Sequence, residues 1–431
     1  MNTQLLKSTL YHLKSQRILS TINILGTALA IFLIMIVVML QQVKTAPFPP
    51  ESNRDRFLHY NFVSISLGDN NRCANAMCSP KLIKELIDPL ETPETYTFYV
   101  FGTEKAVASV LGNKSTSVSI KGTDHRFWNV FDFDFITGKP FTAGDFDTKN
   151  PVAVINHTIA KKLFDSADNA IGKEFWINGN PYKVTGVVND VTRLANTAYA
   201  DIWTVINMPD SYGWGGGYCG DCSATILAKS KNDIPAIWNE VQKLTAQVNK
   251  RLEAENNYIE NRERPYTQKI YALNSLPNES PDYASHKKKS LLIYLILLIV
   301  PAINLLSMTH SRLQQRTAEI AVRRAFGCKK TSIIVQILTE NLILTLIAGI
   351  IGLLLSIGFA WCYDSYLFMQ RNMSLSDVSL NVSASLPSLL QLSTFGWALL
   401  SCFILNLLSG IIPAWRASRT SLSKALSGHV N

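Results

Sequence analysis

Charged residues are scarce in this chain and its histidines are scattered, and these two shortages exclude several classes of enzyme. Only 17% of the 431 residues are charged, whereas 47% are hydrophobic. Soluble domains average roughly 25% charged residues. The 7 histidines lack metal-ligand spacing, and neither H-E-x-x-H nor G-x-S-x-G occurs. The composition therefore predicts a non-catalytic chain that is not an ordinary soluble domain.

A phosphate-binding loop is also missing. No G-x-x-x-x-G-K-[ST] sequence occurs, and the nearest fragments, at 112–115 and 138–140, lack the spacing that cradles a phosphate. We expect no cofactor in this chain. Asp124 and His125 lie near further acids, but we interpret them as solvated loop residues rather than a catalytic pair.

The chain contains four long segments with few or no charged residues. Segments 18–40, 291–308 and 393–413 hold no charged residue, and 333–362 holds only Glu340. Roughly 20 apolar residues cross a bilayer, so four transmembrane α-helices are predicted. The first apolar stretch exceeds the roughly 7–15 residues of a signal-peptide core, which favours an uncleaved anchor over a signal peptide.

The positive charge is concentrated in short segments beside the predicted spans. Segments 1–17, 309–331 and 414–431 are basic, so the net charge of +9 follows the positive-inside rule rather than indicating nucleic-acid binding. Lysines 287–289 fall on the outer side, which long translocated domains tolerate. This predicts a multi-pass protein of the bacterial cytoplasmic (inner) membrane, with both termini cytoplasmic and the large domain periplasmic or extracellular.

The resulting domain organisation is an integral membrane protein with four transmembrane helices and one large α+β extracytoplasmic domain. Its predicted parts are an amphipathic cytoplasmic helix at 1–17, spans at 18–42, 290–308, 332–362 and 391–413, the extracytoplasmic domain at 43–289, a cytoplasmic loop at 309–331, a short outer loop at 363–390 and a cytoplasmic tail at 414–431. At this size the domain can hold its own core, which we expect to be divided into two lobes.

Local patterns predict several elements of the large domain. Residues 152–155 form a buried-strand pattern, followed by Asn156 as a helix cap. Residues 174–177 and 182–188, joined by Asn178-Gly179, predict a β-hairpin. Apolar residues recur at helical spacing over 233–259, which predicts a long amphipathic helix in a stalk or a lateral lobe.

Four cysteines lie in the predicted outer domain as two sequence-local pairs, Cys73 with Cys78 and Cys219 with Cys222. In an oxidising compartment such pairs are candidate disulfides. A four-cysteine zinc site is the alternative, although the wide first gap and the separation of the pairs fit zinc poorly. Residues 213–222 are glycine-rich and predict a loop, so a redox-active C-x-x-C at a helix start is not expected.

The third span carries small residues at regular spacing. Ala348, Gly352 and Ser356 are four apart, a pattern that permits close approach of another helix. Glu340 lies near the cytoplasmic end of this span. It can extend to the interface, pair with a basic residue of the loop or line a contact within a dimer, and the first is the default.

The cytoplasmic loop at 309–331 is both basic and amphipathic. Its basic residues are Arg312, Arg316, Arg323, Arg324, Lys329 and Lys330, against the single acid Glu319. Ile320, Phe326 and Ala321 or Val322 recur at helical spacing, which predicts an apolar face on a short helix. A helix at the tip of a membrane hairpin is suited to docking a soluble partner.

Several ordered motifs together resemble the MacB/FtsX-type permeases of ABC transporters, the mechanotransmission or type VII class. They are the segments 15–30, 127–141, 152–156, 160–164, 171–175, 182–190, 316–327 (RTAEIAVRRAFG), 413–419 and 424–426. The resemblance covers most of the chain, without the fused ATPase domain of MacB itself. It implies a MacB-type periplasmic core domain, a dimer, and an ATPase docked at Glu319, Arg323, Arg324 and Gly327.

The function implied is that of a permease subunit that couples hydrolysis by a separate ATPase to movements of its outer domain, exporting or extracting a hydrophobic molecule, peptide or lipoprotein. The expected partners are an ABC ATPase subunit, a second permease copy or paralogue, membrane lipids, and an extracytoplasmic adaptor or cargo, with no nucleic acid. The alternative is an FtsX-like scaffold that controls an extracytoplasmic cell-wall hydrolase. A receptor without an ATPase leaves the loop signature unexplained.

Overall fold

The chain folds into two compact units. A computed structural model describes residues 17–42, 44–68, 72–110, 114–209, 211–273, 280–315, 320, 322–323, 325–367, 396, 400 and 403–404. The sheet unit comprises Val43–Tyr283, and the helical unit takes in the chain up to Gln42 and from Ala284 onwards. The outer domain was predicted at 43–289, whereas the sheet unit ends at Tyr283, where a helix begins.

The described residues of the sheet unit form 15 strands in one continuous sheet. The strands are β1 Phe57–Tyr60, β2 Phe62–Leu67, β3 Arg72–Cys78, β4 Thr95–Val100, β5 Glu104–Val110, β6 Lys114–Thr123, β7 Phe135–Gly138, β8 Val152–Asn156, β9 Glu174–Ile177, β10 Asn180–Val188, β11 Ile202–Val205, β12 Cys219–Gly220, β13 Cys222–Leu227, β14 Tyr258–Glu260 and β15 Tyr266–Thr267. Strands β8 and β13 are buried along their whole length.

Ten α-helices are described in the two units. They are α1 Arg17–Gln42, α2 Pro80–Leu86, α3 Phe127–Val130, α4 Ala143–Asp147, α5 His157–Phe164, α6 Ala167–Ala170, α7 Ile234–Leu252, α8 Gln268–Tyr271, α9 Tyr283–Gln315 and α10 Lys330–Leu367. Three short 3₁₀ turns, at Arg54–Arg56, Lys231–Asp233 and Glu253–Glu255, complete the described helical segments.

The strand pairings divide the sheet unit into two lobes. In the first, the path β11-β8-β10-β9-β5-β6 is closed by a parallel pairing of β6 with β11. Its core is lined by residues such as Ile155, Phe175, Val187 and Ile202, and α5 contributes Leu163. The second lobe contains β1 to β4 and β12 to β15 around a separate core. Two cores in one domain agree with the predicted division.

The long predicted helix is shorter than its apolar pattern suggested and belongs to the second core. Helix α7 ends at Leu252, and the segment predicted as its continuation forms a 3₁₀ turn and then strand β14. Asn256, with a φ of 52°, reverses the chain between them. Ile237 and Val248 of α7 are buried against the sheet. The helix therefore covers a lobe rather than forming a free stalk.

The two sequence-local predictions in the first lobe are confirmed. The Asn156 side chain accepts from the backbone N–H of Ile159 at 2.8 Å, so it caps α5 as its sequence position suggests. Strands β9 and β10 pair antiparallel around Asn178 and Gly179, whose φ angles are 49° and 85°. Two positive φ values are what a tight two-residue hairpin turn requires.

Asp124 is buried rather than solvated, which corrects its interpretation as a solvated loop residue. The Asp124 carboxylate is fully buried, accepts a hydrogen bond from the Thr97 hydroxyl and lies 3.0 Å from Arg126 Nε. Next to it, aromatic rings form a continuous cluster, with Phe127 4.6 Å from Phe131 between ring centroids. Buried charge here is satisfied by partners, so no catalytic role follows.

Within the described residues of the helical unit, one helix is long and apolar enough to cross a membrane, at Thr331–Phe359 with a mean hydropathy of 2.6. A shorter apolar helix runs over Ile24–Met39, inside α1. The predicted span at 290–308 lies within α9. Most of the predicted span at 391–413 lies outside the described residues, as do segments 1–16 and 405–431 and most of 363–390. The four-span topology stays a prediction.

The small residues of the third predicted span confirm the expected close helix packing. Ala348 and Ser356 are fully buried. A Cβ added at Gly352 would lie 2.7 Å from the Ala28 carbonyl oxygen and 3.0 Å from Ile31 Cβ. The backbones of α1 and α10 therefore approach so closely that only glycine fits between them.

Candidate coupling site

The candidate coupling segment, residues 320–329, ends a helical turn at Gly327. The Gly327 φ is +88°, a left-handed conformation that glycine adopts without steric cost. The Cys328 N–H donates to the Arg323 carbonyl at 3.1 Å. This bond matches the 6→1 hydrogen bond of a Schellman motif, which closes the C-terminal end of a helix. Gly327 thus stops the turn just before α10 begins at Lys330. This gives the predicted site residue Gly327 a backbone role.

The apolar residues of the coupling segment point in different directions, which corrects the single apolar face that their spacing predicted. Ile320 is only 7% exposed and packs against Ile333 and Ile337 of α10. Phe326 is 88% exposed. One residue therefore fixes the turn to the helix, while the other presents a large apolar ring to the surroundings.

Arg323 is connected to the side chain of Glu340, further along α10, through Gln336. Its Nη1 donates to Gln336 Oε1 at 3.1 Å, and Gln336 Nε2 donates to Glu340 Oε1 at 3.2 Å. Glu340 therefore receives a hydrogen bond from its own helix and is linked to the loop through Gln336. The other predicted site residues, Glu319 and Arg324, lie outside the described residues.

A buried ion pair holds the lead-in segment of the sheet unit, residues 44–56, which follows α1. Glu51 is fully buried, and its Oε2 lies 2.6 Å from Arg54 Nε. Its other oxygen accepts from the backbone N–H groups of Thr197 and Ala198, both at 2.9 Å. The Arg54 guanidinium also donates to the Ala46 and Leu194 carbonyls, at 3.1 and 2.6 Å. The pair thereby fastens the lead-in segment to residues 194–198.

The lead-in segment is also tied to the part of the chain that leaves the sheet unit. Gln268 of α8 donates from Nε2 to the Lys44 carbonyl at 2.8 Å, and its Oε1 lies 2.7 Å from His59 Nε2. Strand β15 pairs with β1 beside it, with Tyr266 opposite His59. The two ends of the sheet unit are therefore joined by a strand pair and a side-chain bridge.

Burial lowers the pKa values of two basic groups in this region. Desolvation lowers the pKa of His59 to about 4, against an opposing hydrogen bond from Gln268. Burial also lowers the pKa of Lys121 to about 7, although the Glu51 carboxylate raises it. Lys121 Nζ lies 5.0 Å above the Tyr99 ring. Both groups therefore interact electrostatically with the buried Glu51 carboxylate.

The cysteines are arranged differently from their sequence pairs. Cys73 and Cys78 lie at opposite ends of β3, which sets their Cα atoms roughly 16 Å apart. Disulfides need roughly 4.4–6.8 Å, so a bond between these two does not fit the fold. Cys219 and Cys222 begin strands β12 and β13, where a loop was predicted, and in this structure the described cysteines Cys78, Cys219 and Cys222 form no disulfide. The Cys73 side chain lies outside the described residues.

No group of three or more His, Cys, Asp or Glu suited to a metal ion occurs among the described side chains. Sequence reasoning missed the Glu51 network, Lys121 and Gln336. Glu51 and Arg54 are three apart, a spacing typical of ion pairs on helical turns, but nothing in the sequence signals that they are buried. Gln336 carries no signal of its own, because its role depends on the fold of the loop behind it.

Comparison with known families gives two successive matches. Residues 20–244 match the model of the MacB-like periplasmic core domain, and residues 291–422 match the FtsX-like permease C-terminal model. The first match covers more than half of the chain. The coupling segment and the Thr331–Phe359 helix lie within the second.

Similar proteins include the uncharacterized ABC transporter permease YknZ of Bacillus subtilis, 23% identical over 359 residues, which are 82% of this chain and 80% of YknZ. The pyoverdine export ATP-binding/permease protein PvdT of Pseudomonas syringae is 24% identical over 73% of this chain and 44% of its own length. The macrolide export ATP-binding/permease protein MacB of Aggregatibacter actinomycetemcomitans is 28% identical over 57% of this chain and 36% of its own length. The chain thus spans less than half of these two export proteins.

Among solved structures, the extracellular domain of the ABC-type transporter YknZ from Gram-positive bacteria aligns with 47% of this chain and 100% of that domain, at 17% identity and a TM-score of 0.32. The periplasmic region of MacB from Actinobacillus actinomycetemcomitans aligns with 46% of this chain and 88% of that region, at 20% identity and a TM-score of 0.30.

Proposed function

Because the chain belongs to the MacB-like periplasmic core domain family and continues into an FtsX-like permease segment, we propose that it is the membrane subunit of an ABC transporter served by a separate ATPase subunit. The observation that carries the ATPase contact is Phe326. It is 88% exposed at the end of a turn that Gly327 terminates and Ile320 anchors. An exposed aromatic ring on a fixed turn is typical of a residue that fills a pocket on a protein partner.

Force applied at this turn has a direct route into the helical unit. The Ile320 contacts and the Arg323–Gln336–Glu340 hydrogen bonds fasten the turn to α10. Helix α10 packs against α1 at Gly352 without a side chain between the backbones. Packed helices transmit displacement because the interior has little free volume to absorb it.

The sheet unit is suited to respond as one body. Its lead-in segment and its last strand are joined by Gln268 and the β1–β15 pair, and Glu51 fastens the lead-in segment to residues 194–198. Movement of the chain at either end would therefore displace the lobes together rather than stretch a loose linker. We propose that this extracytoplasmic unit transmits the stroke to cargo or to an outer partner.

The names of the relatives support a proposal for the class of cargo. MacB is named for macrolides and PvdT for pyoverdine. We propose export or extraction of a hydrophobic molecule, peptide or lipoprotein by a dimer of this chain or of this chain with a paralogue, in the bacterial cytoplasmic membrane with its lipids around the spans. ATP and Mg²⁺ would be held by the ATPase.

The test is capture of the ATPase by the full-length tagged chain from native membranes in mild detergent. Phe326→Ala and the double variant Glu319→Ala with Arg323→Ala should lose the ATPase while inserting normally. Phe101→Ala, which truncates a partly exposed aromatic ring of the sheet unit, is the matched control and should retain it. Full capture and full ATPase activity with both loop variants would overturn the docking site.

An FtsX-like scaffold is the second candidate, favoured by the match to the FtsX-like permease C-terminal model. It makes the same ATPase contact but transports nothing. A cell-wall hydrolase recovered with the complex, together with unchanged export of hydrophobic compounds in cells lacking the chain, would favour the scaffold over the exporter.

A further inference from the structure

Three cysteines distant in sequence converge in the core of the second lobe. Cys78 ends β3, Cys219 begins β12 and Cys222 begins β13. All three side chains are fully buried in the same hydrophobic cluster. Cys78 is the shared neighbour, because both Cys219 and Cys222 lie opposite it in the sheet.

The backbone hydrogen bonds identify which neighbour has disulfide geometry. The Ser79 N–H donates to the Tyr218 carbonyl at 3.1 Å, one residue outside the Cys78–Cys219 pair. Cys219 itself exchanges both of its backbone hydrogen bonds with Trp214, each at 2.9 Å. Cys78 and Cys219 therefore form a non-hydrogen-bonded antiparallel pair, in which Cα atoms lie about 4.5 Å apart and side chains are closest. That distance lies within the range of about 4.4–6.8 Å found in disulfides.

Cys222 is the competing partner, and its surroundings favour a free thiol. Its Sγ lies 3.7 Å from Met208 Sδ, so this thiol packs against the methionine sulfur. Cys73 is excluded by the length of β3. These comparisons leave Cys219 as the partner with a suitable backbone register.

We propose that Cys78 and Cys219 are joined by a disulfide in the mature protein. The premise is the extracytoplasmic placement of the sheet unit proposed above. In the reaction, both thiols lose a proton, and a sulfur–sulfur bond forms between them. The two electrons and two protons pass to the disulfide of an extracytoplasmic thiol oxidoreductase, which is reduced to a dithiol.

Burial indicates when this bond forms. In the folded chain burial raises the pKa of Cys219 to about 11 and that of Cys78 well above its usual value. Exchange requires a thiolate on an accessible sulfur. Oxidation therefore takes place during folding, before the cluster closes, and the bond is a permanent staple rather than a switch.

The disulfide would fix a surface loop that carries one exposed aromatic residue. Residues 213–218 include Trp214, which is 54% exposed, and several glycines with positive φ. A Cβ at Gly215 would lie 2.9 Å from Cys219 Sγ, so glycine leaves the room that this sulfur occupies. Ser79 Oγ already donates to the Gly217 carbonyl at 2.7 Å. A Cys78–Cys219 bond would hold the same loop covalently.

The direct test maps the bond in full-length protein whose free thiols are blocked with a maleimide at the moment of cell lysis. Chemical cleavage after Met77 separates Cys73 from Cys78, and protease cleavage before Asp221 separates Cys219 from Cys222. The proposal predicts a reducible link between the Cys78 and Cys219 fragments. A Cys219–Cys222 bond, a Cys78–Cys222 bond or four blocked thiols would overturn it.

A second probe separates failure of the disulfide from failure of the topology. Lys162 is an exposed residue of α5, and in intact cells Lys162→Cys should react with a membrane-impermeant maleimide above the wild-type background. Labelled Lys162→Cys with free Cys78 and Cys219 overturns the disulfide alone. Unlabelled Lys162→Cys overturns the extracytoplasmic placement, and with it the premise of the disulfide.

Stability provides an independent readout. Cys78→Ser, Cys219→Ser and the double variant should all lower the melting temperature of the sheet unit, by roughly 5–20 °C for a bond that closes a long loop. The double variant should lower the melting temperature about as much as either single variant does, apart from a small additional loss of packing. Cys73→Ser should change nothing, and a reductant should remove most of the difference. Additive losses that persist in reductant would contradict a shared bond.

Discussion

Replacing Glu51 with Gln tests whether the buried ion pair at the lead-in segment holds the sheet unit together. The substitution keeps the size of the side chain and one oxygen acceptor but removes the charge. Arg54 is only 2% exposed and would remain in the interior without its carboxylate. The amide N–H₂ would also face the Arg54 donors or the backbone N–H groups of Thr197 and Ala198, which now bond to a carboxylate oxygen.

The expected magnitude follows from this burial. Removing one partner of a buried ion pair costs about 3–5 kcal/mol, because the remaining charge is left uncompensated. For a unit of this size, each kcal/mol shifts the melting temperature by roughly 2–4 °C. We therefore expect Glu51→Gln to lower the melting temperature of the sheet unit by roughly 6–20 °C.

The assay is thermal unfolding of the full-length protein in detergent, followed by the fluorescence of tryptophans such as Trp203, which is fully buried in the sheet unit. Glu94→Gln is the matched control, because Glu94 pairs with Arg56 at 2.8 Å but is half exposed. Exposed pairs contribute less than about 1 kcal/mol. Equal shifts in the two variants, or a change below about 1 kcal/mol in Glu51→Gln, would refute the assigned role of burial.

Three further predictions concern single residues. Burial lowers the pKa of His59 to about 4 in the folded state, so between pH 4 and 6.5 the unfolded chain binds more protons than the folded chain. The free energy of unfolding should therefore fall by about 3 kcal/mol as the pH drops through that window. Melting curves of His59→Gln should show a weaker dependence on pH. Gly327→Ala places a side chain at a φ of +88°, which should destabilise the end of the turn by about 1–2 kcal/mol and weaken ATPase capture. Gly358→Ala is the control, because the added Cβ would meet no neighbouring atom, and it should leave ATPase capture unchanged. Gly352→Leu should separate α1 from α10 and reduce the yield of folded protein, and Gly358→Leu is its control, so equal yields would contradict the close packing.

Local elements were predictable because their determinants lie within a few residues. Asn178-Gly179 supplies the positive φ values of a tight turn, and Asn156 supplies an acceptor for the first turn of α5. The spacing of Ala348, Gly352 and Ser356 indicated the packed face of α10 directly. The family resemblance rested on many such segments and is confirmed by both domain models.

Features that depend on strand order were not predictable from one sequence. Cys78 and Cys219 lie side by side only because β3 pairs with β12, and sequence proximity suggested different pairs. Ile320 and Phe326 were placed on one apolar face by the sequence pattern, yet Ile320 is buried against α10 and Phe326 is exposed. Glu51 and Lys121 resemble surface residues, because charged side chains are rarely buried without partners that the sequence does not reveal.

The central claim is that this chain works as the membrane subunit of an ABC transporter with an ATPase docked beside Phe326. The most direct measurement is the composition and ATPase activity of complexes purified in parallel with wild-type chain, Phe326→Ala and Phe101→Ala. The account predicts a stoichiometric ATPase, active with wild type and Phe101→Ala and absent with Phe326→Ala. An ATPase that never accompanies the wild-type chain, or one retained at full activity with Phe326→Ala, would contradict it.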